Sequence, residues 1–523
     1  QTLKMMSMIN ISHTSTTTTS LLLLQAACTA LFTWTIYTYL TYNTRWWWKR
    51  RASQKTEVSH QPHWEDDLIH GHVAPGWERV KQEFIQNFRT RGELGAAVCI
   101  YFRGEKVVDL WGGHRDCQAR IWEEDTIVPI FSSTKGISAF ALMMLASAGK
   151  VDLDKKVTTY WPEFAQNGKE NVTVSELMDH SVGLAGIDPP ITLQMLQEDQ
   201  RHSSNSLLRN HLAKAKMEWP NAGDYKGYMA VMLGFYESII VQLTEGSGQE
   251  RSIGQYLRKE AFEPLHIADE IYIGLPDSVS NDRIAVIDGM AGLEPLWPTG
   301  AFPDNFMYNL LLKPSSYTAR AFRNPQLSIT PGVCDYNRRD VQRVEMPASN
   351  GLASARAVAT MYNAAERAIN TNGKVNSLRL SKDALDRFLQ PAKPGKNNGW
   401  IDEVLGIEAC MGAGLMLPPP EGYRGSGRFS ATPAGFGTPG AGGSFGYCDP
   451  DAEIAYSYVM NRAGQLIVDD PRDFALRSKM YRIVQDIRSK EGGHLELNLE
   501  ELTTPHYLAK RYMDAHPELA PLV

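Results

Sequence analysis

Phe131-Ser132-Ser133-Thr134-Lys135-Gly136 is the stretch on which the reading of this chain turns. It sets a hydroxyl and an amine at i and i+3, just where a helical pattern begins. On a helix those positions share a face. A Lys held beside a Ser and partly desolvated can give up its proton and act as a base toward the hydroxyl. Ser-x-x-Lys is a known spacing for an acyl-transfer nucleophile. A second copy, Ser147-Ala148-Gly149-Lys150, competes with the first. Helix position separates them. After Lys135 the apolar residues Ile137, Phe140, Ala141, Met144, Leu145 and Ala148 recur at the spacing of an amphipathic helix. Ser132 then stands at the N-terminal end, a favoured place for a capping Ser, where the dipole favours developing negative charge. Ser147 falls at the far end, Gly149 reads as the helix stop, and Lys150 leaves the helix.

The surrounding chain has 523 residues and a formal net charge of −6. That length allows several domains or one large domain with insertions. An apolar content of 43% is enough for a large core. The mild acidity argues against a nucleic-acid surface. Cys28, Cys99, Cys117, Cys334, Cys410 and Cys448 are scattered, with no C-x-x-C pair. They signal buried free thiols rather than a zinc site or a disulfide framework. The 13 histidines show no metal-ligand spacing.

The N-terminus differs in kind. No Asp or Glu precedes Glu57, and Ser and Thr are dense over residues 12–20. Residues 21–42 are uncharged and are followed by Arg45-Trp46-Trp47-Trp48-Lys49-Arg50-Arg51. About 20 mostly apolar residues can span a bilayer, and Trp with Lys or Arg marks an interface. A lone Lys4 is a thin basic start for a secretion signal, whereas an acid-free, hydroxyl-rich leader suits mitochondrial targeting. Residues 1–56 are therefore expected to be a targeting leader and anchor meeting the lipid bilayer through 21–42. A mitochondrial membrane is the expected location, with the ER or another membrane as the alternative.

Residues 57–490 read as one enzyme-like domain and residues 491–523 as a tail of helix and coil. Residues 96–102 and 107–111 around Arg103-Gly104-Glu105 carry a hairpin signal, and residues 444–449 and 454–460 repeat it near the other end. Helical signals fill the middle, at residues 174–179, 207–214, 229–243 and 353–369. Gly-rich and Pro-rich loops are expected at 417–427 and 435–443. Hairpins at both ends with helices between predict an α+β layout, with one antiparallel sheet built from the two ends of the domain.

A Ser–Lys nucleophile needs a further proton shuttle and donors for the substrate's oxyanion. Tyr228 stands where a loop with Pro220, Gly223 and Asp224 meets the helical run, and could aim into a cleft. Tyr225 is its rival, and either ring could simply pack on the core. Cations near the Tyr would lower its pKa and suit it to the shuttle. Phe436-Gly437-Thr438-Pro439-Gly440-Ala441-Gly442-Gly443-Ser444 supplies glycines before a strand, where backbone can approach a ligand. An N–H there could join that of Ser132 at the oxyanion. Thr438, Gly440, Gly443 and Ser444 are the candidate substrate-binding residues.

The order Ser132-x-x-Lys135, Tyr228, Gly-rich strand resembles the serine β-lactamase-like hydrolases, in the branch of class C β-lactamases, penicillin-binding proteins and carboxylesterases. The likeness runs from about Gly92 to Arg462. It is densest in Arg91-Gly92-Glu93-Leu94-Gly95-Ala96-Ala97, Val108-Asp109-Leu110-Trp111-Gly112-Gly113, Tyr160-Trp161-Pro162-Glu163-Phe164 and Tyr458-Val459-Met460-Asn461. It implies an antiparallel sheet flanked by helices, a mostly helical second region, and a cleft between them. It also implies a mechanism without metal or cofactor, in which Ser132 forms an acyl-enzyme and Lys135 with Tyr228 moves the protons. The family's spacing of Tyr and a Gly six residues on fits Tyr228 and Gly234 and disfavours Tyr225. His180 matches a family His read as structural. Where the family carries Lys or His, this chain has Thr438, which can donate a hydrogen bond but brings no charge. An uncharged small ester, an amide or a short peptide is the implied substrate. The alternative is a membrane-anchored assembly subunit with a degenerate hydrolase fold, meeting protein partners through the N-terminal segment and the C-terminal tail.

Overall fold

Strand Gly95–Phe102 (β2) is buried almost throughout, and its alternation explains the layers. Ala96, Val98 and Ile100 point into one apolar cluster and Ala97 and Cys99 into another. Successive strand side chains face opposite ways, so a sheet with apolar residues on both sets must be covered on both faces. The computed structural model describes residues 68–201, 207–289, 303, 305–330, 333–418, 429–466, 469–492 and 507–515.

The sheet has six strands. Ile69–Val73 (β1), β2 and Glu105–Gly113 (β3) come from the N-terminal side. Phe436–Pro439 (β4), Phe445–Asp449 (β5) and Ile454–Met460 (β6) come from the C-terminal side. Their order is β1-β3-β2-β6-β5-β4, antiparallel at every pairing. The two halves join where Tyr458 faces Val98. The expected union of the two ends is thus observed. One expectation is corrected: residues 436–439, read as loop, form the edge strand, with Thr438 opposite Gly446 and Gly437 opposite Tyr447. A methyl group on Gly437 would lie 2.4 Å from Gly446 O. The glycine that suggested a loop is what lets the two backbones pair so closely.

One face is covered by Glu78–Thr90 (α1) and Pro471–Lys490 (α5), whose Phe84, Leu476, Met480 and Tyr481 share a cluster with Val98, Tyr447 and Tyr456. On the other face lie Ser133–Ser147 (α2), Met232–Thr244 (α3) and Ala355–Asn370 (α4). Ser354 caps α4 by accepting from Ala357 N–H, and Asp470 with Pro471 starts α5. Helix α2 departs from the amphipathic pattern: Ser133 through Leu145 are all buried. It is the central helix, and its polar side chains find partners inside. Thr134 Oγ1 donates to Phe131 O (2.5 Å) and Ser138 Oγ to Pro347 O (2.6 Å).

The described residues belong to one compact unit, Pro62–Val523. Residues 1–56, including the expected span at 21–42, lie outside them, as do most of the loop at 417–427 and of the tail. Helix Tyr507–Ala515 packs Ala509 and Met513 against Leu466 and Phe474. Among the described residues no helix is long and apolar enough to cross a membrane. Cys99, Cys334, Cys410 and Cys448 are buried thiols and Cys117 is exposed; Cys28 lies outside the described residues.

Candidate active site

Helix α2 brings its first turn to the edge of the cleft. Phe131, just before it, has φ +47°, a left-handed conformation that a bulky side chain seldom adopts. Its ring is fixed against Tyr336, with centroids 5.0 Å apart. Ser132 follows at φ −66° as the first turn forms, and its side chain caps nothing. The expectation of a capping Ser is therefore corrected: the hydroxyl is turned to other partners. It accepts a hydrogen bond from the Tyr228 hydroxyl at 2.9 Å and lies 3.3 Å from Lys135 Nζ. Ser147 and Lys150 are not brought together: Ser147 Oγ bonds Met143 O, and Lys150 Nζ bonds Glu245 O.

Lys135 is 1% exposed. Its Nζ donates to Ala230 O (2.6 Å) and Ala348 O (2.9 Å). Those carbonyls hold two of its N–H bonds, which leaves the third tetrahedral position facing Ser132 Oγ. In the ammonium form that position is an N–H; in the free amine it is the lone pair. Burial pushes the Lys135 amine down to about 7, with the Glu237 carboxyl opposing the shift. The geometry holds a poised base against a nucleophilic hydroxyl.

Tyr228 precedes α3 by four residues and is held on several sides. His180, itself at φ +64°, takes the Gly227 N–H on its carbonyl and the Met229 N–H on Nδ1, both at 3.0 Å. The His180 ring lies 5.1 Å from the Tyr228 ring. Its buried imidazole is held well below the usual range and is neutral. Asp402 takes the N–H groups of Val404 and Leu405 and points at that of Tyr228. The structural role expected of His180 is observed, with an added link: it clamps both neighbours of the residue that touches the nucleophile. Tyr225 packs against Trp219 instead. Burial pushes the Tyr228 phenol up, so it stays protonated and donates to Ser132. The expected lowering by nearby cations is not seen at this ring. Lys135 Nζ sits 4.6 Å from the ring centroid, yet desolvation dominates, with only the Ser132 hydrogen bond opposing the rise.

The Gly-rich segment reaches the start of α2. A methyl group on Gly440 would lie 2.4 Å from Ile130 O, so only glycine allows this approach. Ser444 Oγ donates to Ile130 O at 2.8 Å and lies 3.3 Å from Ser133 Oγ. Its hydroxyl is occupied in tying the sheet to the turn before Ser132. Gly443, at φ +114°, packs on Asp470, and Arg472 donates to Gly442 O. The Ser132 N–H meets no acceptor among the described residues. Thr438 is buried beside Tyr362, and both hydroxyls crowd the space a methyl on Gly136 would need. It bonds neither Ser132 nor Tyr228. Among the described residues no cluster of His, Cys, Asp or Glu could hold a metal ion.

A central antiparallel sheet, a half-buried Ser beside a buried Lys at the start of the helix beneath it and a Tyr bonded to the Ser define the β-lactamase and transpeptidase-like class of serine hydrolases. The Beta-lactamase family model matches residues 81–477, and the chain belongs to that family. Esterase/beta-lactamase LipL of Mycobacterium tuberculosis is 27% identical over 419 residues, covering 78% of this chain and 86% of that protein. The crystal structure of a family VIII carboxylesterase superposes with a TM-score of 0.64 at 28% identity, covering 79% of this chain and 99% of the other. A shorter match, 27% over 170 residues and 30% of each protein, is to the mouse serine beta-lactamase-like protein LACTB, mitochondrial.

Proposed function

We propose that this chain hydrolyses small uncharged esters, and more slowly amides or short peptides, through an acyl-enzyme on Ser132. The observation that carries this reading is the convergence of Lys135 Nζ and the Tyr228 hydroxyl on one oxygen, Ser132 Oγ. Ser132 Oγ attacks the carbonyl carbon as its proton passes to the Lys135 lone pair. The carbonyl oxygen becomes an oxyanion, held by the Ser132 N–H and an N–H of the Gly440–Gly443 turn. Collapse expels the alcohol oxygen, which takes a proton from the Tyr228 hydroxyl, and Lys135 returns one to Tyr228. Water then attacks the acyl-enzyme by the same relay in reverse. The names of LipL and of the carboxylesterase support an ester. Thr438, buried beside Tyr362, brings no charge that could pair with a substrate carboxylate. The intact Ser132–Lys135–Tyr228 geometry favours hydrolysis over a purely structural role.

The test compares a short-chain nitrophenyl ester with a carboxylate-bearing cephalosporin. The expected result is turnover of the ester at least ~10-fold above the cephalosporin, abolished by Ser132→Ala. Ester turnover that persists in Ser132→Ala would overturn the assignment.

We further infer that residues 1–56 tether the domain to a membrane, with residues 21–42 in the bilayer and a mitochondrial membrane as the site. The composition of the leader and the partial match to a mitochondrial relative support this. Deleting residues 1–56 should move the protein from the membrane pellet to the soluble fraction. Pelleting that is unchanged would contradict the tether.

A further inference from the structure

Helix α3 carries a carboxyl that the mechanism does not use. Glu237 is 0% exposed, and neither of its carboxyl oxygens has a hydrogen-bond partner among the described residues. A buried carboxylate with no donor is costly unless it is neutral or pairs with a charge. The side chain reaches the flank of α2 one turn beyond Lys135. A methyl group on Gly414 would lie 3.1 Å from Ala139 Cβ and 3.2 Å from Glu237 Oε1, with Met178 Cε closing the pocket at 2.9 Å. Lys135 and Ala139 are i and i+4 and share a helix face. The carboxyl therefore sits behind the amine, in an apolar pocket of Ala139, Met178 and Gly414. The other groups near the amine are Ser132, the protonated Tyr228 and the neutral His180. Lys135 is the one charge acting on Glu237, and burial drives its carboxyl toward the neutral acid.

We propose that Glu237 is a positioning residue whose charge acts on Lys135 through the low-dielectric interior, so that its protonation sets how readily Lys135 becomes the free amine that activates Ser132. This rests on the Ser–Lys reading above. The two groups titrate as a pair in a medium of low dielectric. With Glu237 ionised, Lys135 holds its proton and cannot accept that of Ser132. With Glu237 protonated, the amine is free while the buried pair carries no charge. Neither Glu237 oxygen has a hydrogen-bond partner among the described residues, and Lys135 Nζ faces Ala230 O, Ala348 O and Ser132 Oγ, so the two groups act on each other through the field and not by a transferred proton.

The probe is a fluorophosphonate, whose rate of reaction with Ser132 in the full chain is followed against pH. Glu237→Gln keeps the shape and removes the charge. Its acid limb should move to lower pH, so that at pH 6 labelling, relative to its own plateau, is faster by about threefold or more. Superposable limbs would overturn the proposal. Glu237→Leu, with no carboxyl to ionise, must move the limb the same way. Should neither variant fold, infrared difference spectra of the unaltered chain decide. A buried protonated-carboxyl band must change together with the labelling rate, and a limb without that band would overturn the coupling. No labelling at any pH would remove the Ser–Lys reading itself, while the infrared titration would still decide whether the two groups titrate together.

Discussion

Ser132 is ordinary as a residue and unusual in its company. A Ser hydroxyl ionises far above neutral pH, and its reactivity depends on a base that is free at the working pH. Two main-chain carbonyls, Ala230 O and Ala348 O, fix Lys135 so that its remaining position meets Ser132 Oγ. Burial holds that amine near 7. The sign follows directly. Below about 7 Lys135 is an ammonium and cannot take the Ser132 proton, and above it the lone pair is free. The rate of Ser132 acylation should rise with pH through the neutral range and then level, because Tyr228 stays protonated beyond it. A rate-against-pH profile checks this, and activity that falls between pH 6 and 8 would be the wrong sign. Among the residues, Ser132 and Lys135 were legible from the i, i+3 spacing, whereas Tyr228 was set apart from Tyr225 only by the family resemblance. Glu237 was not singled out, although a lone charge within the apolar run of α3 was there to see. The clamp of His180 on Gly227 and Met229 depends on pairing across about 50 residues of sequence, which spacing alone does not encode. Thr438 and Ser444 were expected to face substrate. Both hydroxyls are instead buried in joins between sheet and helix, since the pleat of β4 and the turn before β5 decide which way they point.

At the scale of elements, the site is a meeting of α2, the start of α3 and the segment holding Ala348. Gly234 makes that meeting possible. A methyl group there would lie 2.4 Å from Ala348 N and 2.7 Å from Pro347 C. Both are main-chain atoms and cannot swing aside. The Gly six residues after Tyr228 thus has a physical reason: it lets α3 approach the backbone whose next carbonyl holds Lys135. Gly234→Ala should cost about 1–3 kcal/mol through overpacking and lower the acylation rate by displacing Ala348 O. Thermal denaturation and the labelling rate check both, and an unchanged Tm with full activity would show the contact to be soft. The hairpin strands and helices α2, α3 and α4 were legible to within a few residues, because alternation and 3.6-residue periodicity are local, whereas α1 and α5 were not singled out. The edge strand β4 was hidden by its glycine and proline, which argue against a strand unless a partner backbone is present.

At the scale of the whole molecule, the two ends of the domain make one sheet, and buried ion pairs tie the C-terminal helix to the site. Arg472 bonds Asp470 (2.8 Å), Glu93 (3.1 Å) and Gly442 O (2.9 Å), so the Gly440–Gly443 turn is held from the helix that covers the far face of the sheet. The chain's likeness to relatives named as esterases covers most of its length, whereas residues 1–56 lie outside the family match at 81–477. The most direct test of the Ser–Lys mechanism is to treat the full chain with a fluorophosphonate and map the adduct by mass spectrometry. The mechanism predicts one adduct, on Ser132, formed stoichiometrically in the unaltered protein and slowed at least ~100-fold in Lys135→Ala, the range a positioned base supplies. A folded protein that forms no adduct at Ser132, or forms it equally fast without Lys135, would contradict it.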